Sequence, residues 1–302
     1  MAVTAYLGPE GTFAEQAAQV LAPDDELRSA VSVHAAISAL RAGEVDAACV
    51  PVENSVEGSV PATLDAMAQG PPVLAVAETV LPVRFSVLVR PGTGAADVRT
   101  VATHPHAAAQ VRTWLATHLP NAATTLTPST SAAAIAVLDG QADAAVCAPV
   151  AVRHYPLAEL ARDVHDQDDA KTRFLLLRRP AAVPPPTGAD RTSLVVVAVD
   201  RPGALLEVLA EFALRGINLT RIESRPMKHT LGKYQFFLDC AGHIAEDAIG
   251  DALAELHRRC TWVRFLGSYP RAGAASLGPG PDPAGFTAAR EWLTAVRAGQ
   301  GA

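Results

Sequence analysis

Residues 40–52 read LRAGEVDAACVPV, and residues 138–150 read LDGQADAAVCAPV. In each stretch a helical segment closes at a glycine, Gly43 or Gly140, where the left-handed backbone that ends a helix costs least. An aspartate follows three residues later, Asp46 or Asp143, and a short apolar strand then runs toward a proline. Two such units predict two α/β lobes facing each other across a cleft. The same pattern also suits two unrelated helix-to-strand connections.

Around these stretches the chain alternates strand and helix. Residues 3–7 read as a strand, followed by a glycine turn and a helix over 13–21. Residues 47–52, 73–80, 85–89, 101–103 and 174–177 read as further strands, and 107–118 as one helix. Such alternation predicts an α/β body with much parallel sheet. It ends at residues 179–190, RPAAVPPPTGAD, because successive prolines fit neither a helix interior nor a central strand. The body is therefore 1–179 and the linker 180–190.

Residues 191–269 have another order. A strand over 193–199 leads to Pro202, which suits a helix start. Leu205, Leu206, Leu209, Phe212 and Ala213 then share one helical face, closed by Gly216. Residues 219–225 and 234–239 alternate as strands around a turn at 229–232. Ile244, Ile249, Leu253 and Leu256 mark a second helix, and 263–266 a last strand. The order βαββαβ is ferredoxin-like. In the tail, 270–302, a Gly/Pro-rich stretch at 276–285 precedes Ala289, Trp292, Leu293 and Val296 at helical spacing.

Composition narrows the function classes. The chain has 302 residues, 49% apolar and 19% charged, with a net charge of −6. That excludes a largely disordered chain and leaves no basic footprint for nucleic acid. No apolar run is long enough to span a bilayer, and the first residues lack the pattern of a secretory signal, which points to the cytoplasm. Cys49, Cys147, Cys240 and Cys260 lie far apart with no CxxC, so they read as core residues rather than a metal or disulfide framework.

Four segments hold candidate chemistry. GPEGTF at 8–13 joins a strand to a helix through a turn whose free N–H groups suit an anion; Thr12 either caps the helix or touches a ligand. In PVENSVEGS at 51–59, Glu53, Asn54 and Ser55 follow a strand, at the carboxyl edge where α/β sheets bind ligands. They serve equally as loop caps. THPHAAAQ at 103–110 puts Thr103 at a strand end and Gln110 in the next helix; His104 and His106 lack a third ligand by spacing and read as capping or surface residues. In DDAKTRFLLL at 168–177, Thr172 and Phe174 share one strand face and Arg173 takes the other. A threonine beside an aromatic can donate into a half-apolar pocket, or simply begin a strand.

GPEGTF, VPVENSVEGS, THPHAAAQ and KTRF occur in this order and at this spacing in prephenate dehydratases, and residues 191–269 resemble a regulatory ACT domain, with GALL at 203–206 and ESRP at 223–226. The resemblance covers about residues 1–269 and is to the monofunctional form. It implies a two-lobed, periplasmic-binding-protein-like catalytic domain followed by a ferredoxin-like ACT domain. The implied reaction turns prephenate into phenylpyruvate, water and CO2. Aromatisation drives it, so no metal or other cofactor is chemically needed. By resemblance the catalytic residues are Thr172, Asn54, Thr103 and Gln110: Thr172 assists the leaving hydroxyl, and the other three orient the substrate and hydrogen-bond the transition state. Thr12, Ser55, Arg173 and Phe174 belong to the substrate-binding set, with Phe174 keeping the pocket dry. The ACT block implies L-phenylalanine held at a subunit interface by Gly203, Ala204, Leu205, Leu206, Asn218, Glu223, Ser224, Arg225 and Pro226, in a homodimer or homotetramer. Two departures stand out: Ala14 replaces the usual hydroxyl residue after GTF, and Thr103 replaces a serine. Two rivals remain, arogenate as the substrate and a non-catalytic amino-acid sensor.

Overall fold

A computed structural model describes residues 1–166, 169–227, 233–273 and 283–300. The turn expected at 229–232 and most of the 276–285 stretch lie outside the described residues. The chain divides into two compact units, Met1–Ala66 with Thr79–Arg179, and Met67–Glu78 with Pro180–Ala302.

In chain order the elements up to the linker are β1 (Val3–Leu7), α1 (Phe13–Leu21), β2 (Glu26–Ala30), α2 (Val33–Ala42), β3 (Ala47–Asn54), β4 (Gly58–Ser59), α3 (Pro61–Ala68), β5 (Leu74–Pro82), β6 (Ser86–Val89), β7 (Thr100–Thr103), α4 (Pro105–Gln110), α5 (Arg112–His118), β8 (Ala123–Leu126), α6 (Thr130–Leu138), β9 (Ala144–Cys147), β10 (Ala158–Ala161) and β11 (Lys171–Arg178). In the first lobe β1 pairs parallel with both β2 and β3, and β11 runs antiparallel beside β3. In the second, β7 pairs parallel with both β8 and β9, and β6 and β10 add antiparallel strands. Residues 40–52 and 138–150 thus fold alike. Gly43 and Gly140 take φ of 80° and 72°. Asp46 accepts the Val3 N–H at 2.8 Å, and Asp143 accepts the Arg99 and Thr100 N–H groups at 2.9 Å, so each aspartate fastens the start of the neighbouring parallel strand.

Small side chains set the packing of this unit. α1 buries Ala14, Ala17 and Ala18, which lets the helix lie close on its sheet; the second lobe is filled by valines such as Val87, Val89, Val101 and Val146. The helix expected over 107–118 is two helices. The break at Val111 is held from far along the chain: Asp166 accepts the Thr113 and Trp114 N–H groups, and its own N–H donates to the Gln110 carbonyl. A distant carboxylate thereby caps a second helix start.

The second unit contains β12 (Asp190–Val197), α7 (Ala204–Ala213), β13 (Leu219–Pro226), β14 (Tyr234–Ala241), α8 (Asp247–Arg259), β15 (Trp262–Pro270) and α9 (Pro283–Arg297). Its antiparallel order, β13-β14-β12-β15, is the ferredoxin-like arrangement. α7 starts at Ala204 rather than Pro202, because Gly203 takes a left-handed φ of 83° as its N-cap. The segment Met67–Glu78, which the proline boundary assigned to the body, packs with this unit. Buried Glu78 pairs with Arg191 at 2.7 Å, and Gly267 pairs with Ala75 so closely that a Cβ would run into the Ala75 backbone. The tail helix α9 docks through Arg290 to Asp247 and through Phe286 on the core.

Candidate active site

The carboxyl end of β3 and the start of β11 lie side by side, with Asn54 directly opposite Thr172. The Asn54 amide donates to Thr172 Oγ1 at 2.8 Å. Its carbonyl oxygen accepts the Val56 and Glu57 N–H groups at 2.8 and 3.0 Å. Those two backbone donors fix which end of the amide is oxygen, so the NH2 must face the threonine. Ser55 fastens the same two strands: its N–H donates to the Lys171 carbonyl and its hydroxyl accepts the Lys171 N–H, both at 2.9 Å.

The next residues of β11 hold the site from behind. Arg173 is buried and approaches Glu53 at 3.5 Å, giving Glu53 a cationic partner. A bulge then shifts the register between Arg173 and Phe174, and Phe174 is only 2% exposed. Phe174 is a core residue, two positions past the half-buried Thr172 of β11. Thr12 is the N-cap of α1, accepting from the Glu15 N–H and donating to the Leu7 carbonyl, so capping is the arrangement seen.

The second lobe contributes Thr103 and Gln110. Thr103, fully buried, donates to the Val146 carbonyl at 3.3 Å. Gln110 is 8% exposed, and among the described residues nothing donates to its side-chain oxygen. His104 caps α4, its Nδ1 accepting the His106 N–H. Burial, then the neighbouring His106, holds the His104 ring below its ordinary pKa, which keeps that lone pair available. His106 in turn lies 3.9 Å from Glu57 of the loop after β3, so the Asn54 loop and the His104–Gln110 segment meet across the cleft. Among the described residues no three metal-ligating side chains cluster.

Sequence reasoning passed over Glu15, His154 and Tyr155, which join the turn after β1 to the second lobe. The Thr12-x-x-Glu15 spacing of a capping box was the available signal; nothing local marked His154.

In the second unit Ala204 and Leu205 line a cavity of about 630 Å³ together with Val199, Tyr234, Phe236 and Trp262. Leu206 points outward at 70% exposure, and Asn218 is exposed. Glu223, Ser224, Arg225 and Pro226 lie on the edge strand β13 and do not line that cavity. Glu223 is held between Arg221 at 2.6 Å and Arg225 at 3.6 Å.

Residues 4–182 match the prephenate dehydratase family and residues 192–258 the ACT domain. The prephenate dehydratase of Amycolatopsis methanolica is 57% identical over 304 residues, covering 99% of each chain. The crystal structure of prephenate dehydratase from Arthrobacter aurescens, in complex with L-Phe, is 45% identical with a TM-score of 0.90, covering 97% of this chain and 99% of that one. GqqA, described as a quorum-quenching acylase, is 30% identical with a TM-score of 0.83, covering 90% of this chain and 98% of its own. With the family match spanning more than half of the sequence and a full-length relative above half identity, the chain belongs to the prephenate dehydratase family.

Proposed function

We propose that this chain dehydrates and decarboxylates prephenate to phenylpyruvate and that L-phenylalanine regulates it through the ACT block. The carrying observation is the oriented pair Asn54–Thr172. Thr172 Oγ1 already accepts from the Asn54 amide, so the hydroxyl proton is left to point at a substrate. As the ring carboxylate departs as CO2, its bonding electrons enter the ring and hydroxide leaves from the opposite carbon. Charge grows on that oxygen, and a donor fixed beforehand is worth about 2.7–4 kcal/mol there. An alcohol is too weak an acid to give up its proton outright, so Thr172 stabilises the departing hydroxide, which takes its proton from solvent. Gln110 orients the substrate from the opposite lobe, its unpartnered side-chain oxygen ready for a substrate donor, and buried Thr103 supports it by tying the end of β7 to the Val146 carbonyl. Ser55 and Arg173 support this machinery through backbone and Glu53 contacts.

The Arthrobacter aurescens relative was crystallised with L-Phe, which supports the effector assignment here. ESRP on an edge strand, away from the GALL cavity, suits a site completed when two copies pair their β13 edges and cover exposed backbone donors. The assembly is a homodimer or homotetramer, and the compartment the cytoplasm. No helix among the described residues is long and apolar enough to cross a membrane.

Two assays of the purified protein test this: phenylpyruvate formation from prephenate, with and without L-phenylalanine, and L-phenylalanine formation from arogenate. Turnover of prephenate altered by L-phenylalanine is the expected result. Binding without turnover of either substrate would replace the enzyme by a sensor.

A further inference from the structure

Three consecutive residues of the second lobe, Arg153, His154 and Tyr155, reach the turn after β1 and the helix α1. His154 Nε2 lies 2.6 Å from Glu15 Oε1, and its Nδ1 lies 3.6 Å from Glu10. The Tyr155 hydroxyl donates to the Glu10 carbonyl at 3.2 Å, and Arg153 donates to the Gln19 side-chain oxygen at 3.1 Å. Glu15 is the hub: only 4% exposed, it also accepts the Gly11 N–H at 2.6 Å and the Gln19 amide at 3.0 Å.

The turn is tightly seated. Gly11 takes φ of 79°, and a Cβ there would stand 3.0 Å from the Tyr155 ring and 3.1 Å from the Ala151 Cα. A buried carboxylate stripped of donors is costly. Gly11 and Gln19 belong to the same lobe as Glu15. His154 is the donor that reaches it from the other lobe.

We propose that His154 is a positioning residue for the dehydratase reaction: through Glu15 and Glu10 it seats the 8–12 turn, and with it Thr12, on the second lobe, and so sets how tightly the cleft closes on prephenate. This rests on the reading of that cleft as the prephenate site, so the test carries one readout that needs substrate and one that does not.

The first readout is steady-state kinetics. His154→Ala should raise KM about tenfold with kcat within about threefold, the signature of lost uniform binding. His154→Gln, which keeps an N–H for Glu15, should return KM to within about threefold of the parent. The second is hydrogen exchange of the 8–12 peptide without substrate: His154→Ala should speed exchange at Gly11 about tenfold, and His154→Gln should largely restore protection. Unchanged KM together with unchanged exchange overturns the proposal, as does a glutamine variant no better than alanine. If His154→Ala fails to fold, Tyr155→Phe carries the test, since it removes one bond of the same clasp; unchanged exchange at 8–12 then overturns it. A parent protein that ignores prephenate while His154→Ala still loosens the turn refutes the substrate reading and leaves the clasp standing.

Discussion

At the amino ends of their central strands the two lobes of the first unit repeat one another. Asp46 fastens β1 beside β3 through one backbone N–H, and Asp143 fastens β7 beside β9 through two. At the carboxyl ends the lobes diverge. The first presents a threonine hydroxyl held by an oriented amide. The second presents a threonine whose hydroxyl is already spent on the Val146 carbonyl and a glutamine whose oxygen is not spent. The repeated features build the frame and the unrepeated ones carry the chemistry, so the echo in the sequence locates the lobes and not the reacting group.

The sharpest way to break this comparison is to remove one hydroxyl from each lobe. Thr172→Val should lower kcat by about 10²–10³ with KM near the parent value, the usual cost of one preorganised donor. Thr103→Val should cost only about tenfold in kcat/KM, on the order of one ordinary hydrogen bond. Equal losses measured on prephenate would mean that both lobes supply transition-state donors.

The repeated ends should answer in stability instead. Asp143→Ala should cost about 1.5–3 kcal/mol in urea unfolding, as expected for bonds to a charged acceptor, and Asp46→Ala less, since it holds one backbone N–H where Asp143 holds two and the Thr100 hydroxyl. The Arg99 N–H, then the Thr100 hydroxyl, holds the Asp143 carboxyl below its ordinary range. A depressed folded pKa gives stability that is complete above the unfolded value and lost as pH falls through the folded one. The gap between the parent and Asp143→Ala should therefore narrow on acidification below about pH 4.

The smallest effect is expected at the thiols. Burial pushes the Cys147 thiol up to about 12 and raises that of Cys49 also. Neither should react with a disulfide reagent at pH 8 in the folded protein; labelling of either would show that its lobe opens in solution.

Much of this was legible in the sequence for a physical reason. Strand–helix alternation, glycine C-caps and a βαββαβ order are local patterns, and the motifs sit where strands end. What was not legible came from distant partners. Asp166 breaks the helix over 107–118 from far along the chain. Met67–Glu78 joins the second unit because Gly267 admits Ala75 and Arg191 meets Glu78. Phe174 is buried because β11 is covered on both faces beyond Thr172, which period-two alternation alone does not reveal. His154 finds Glu15 across the two lobes, which no spacing rule encodes.

The central claim is that a hydroxyl at position 172, aimed by Asn54, stabilises the departing hydroxide. The most direct measurement is kcat for prephenate in Thr172→Ser beside Thr172→Val. Serine keeps the hydroxyl and should stay within about tenfold of the parent, while valine keeps the shape and should fall about 10²–10³. A serine variant as inactive as the valine variant, with both folded and binding substrate, would contradict the account.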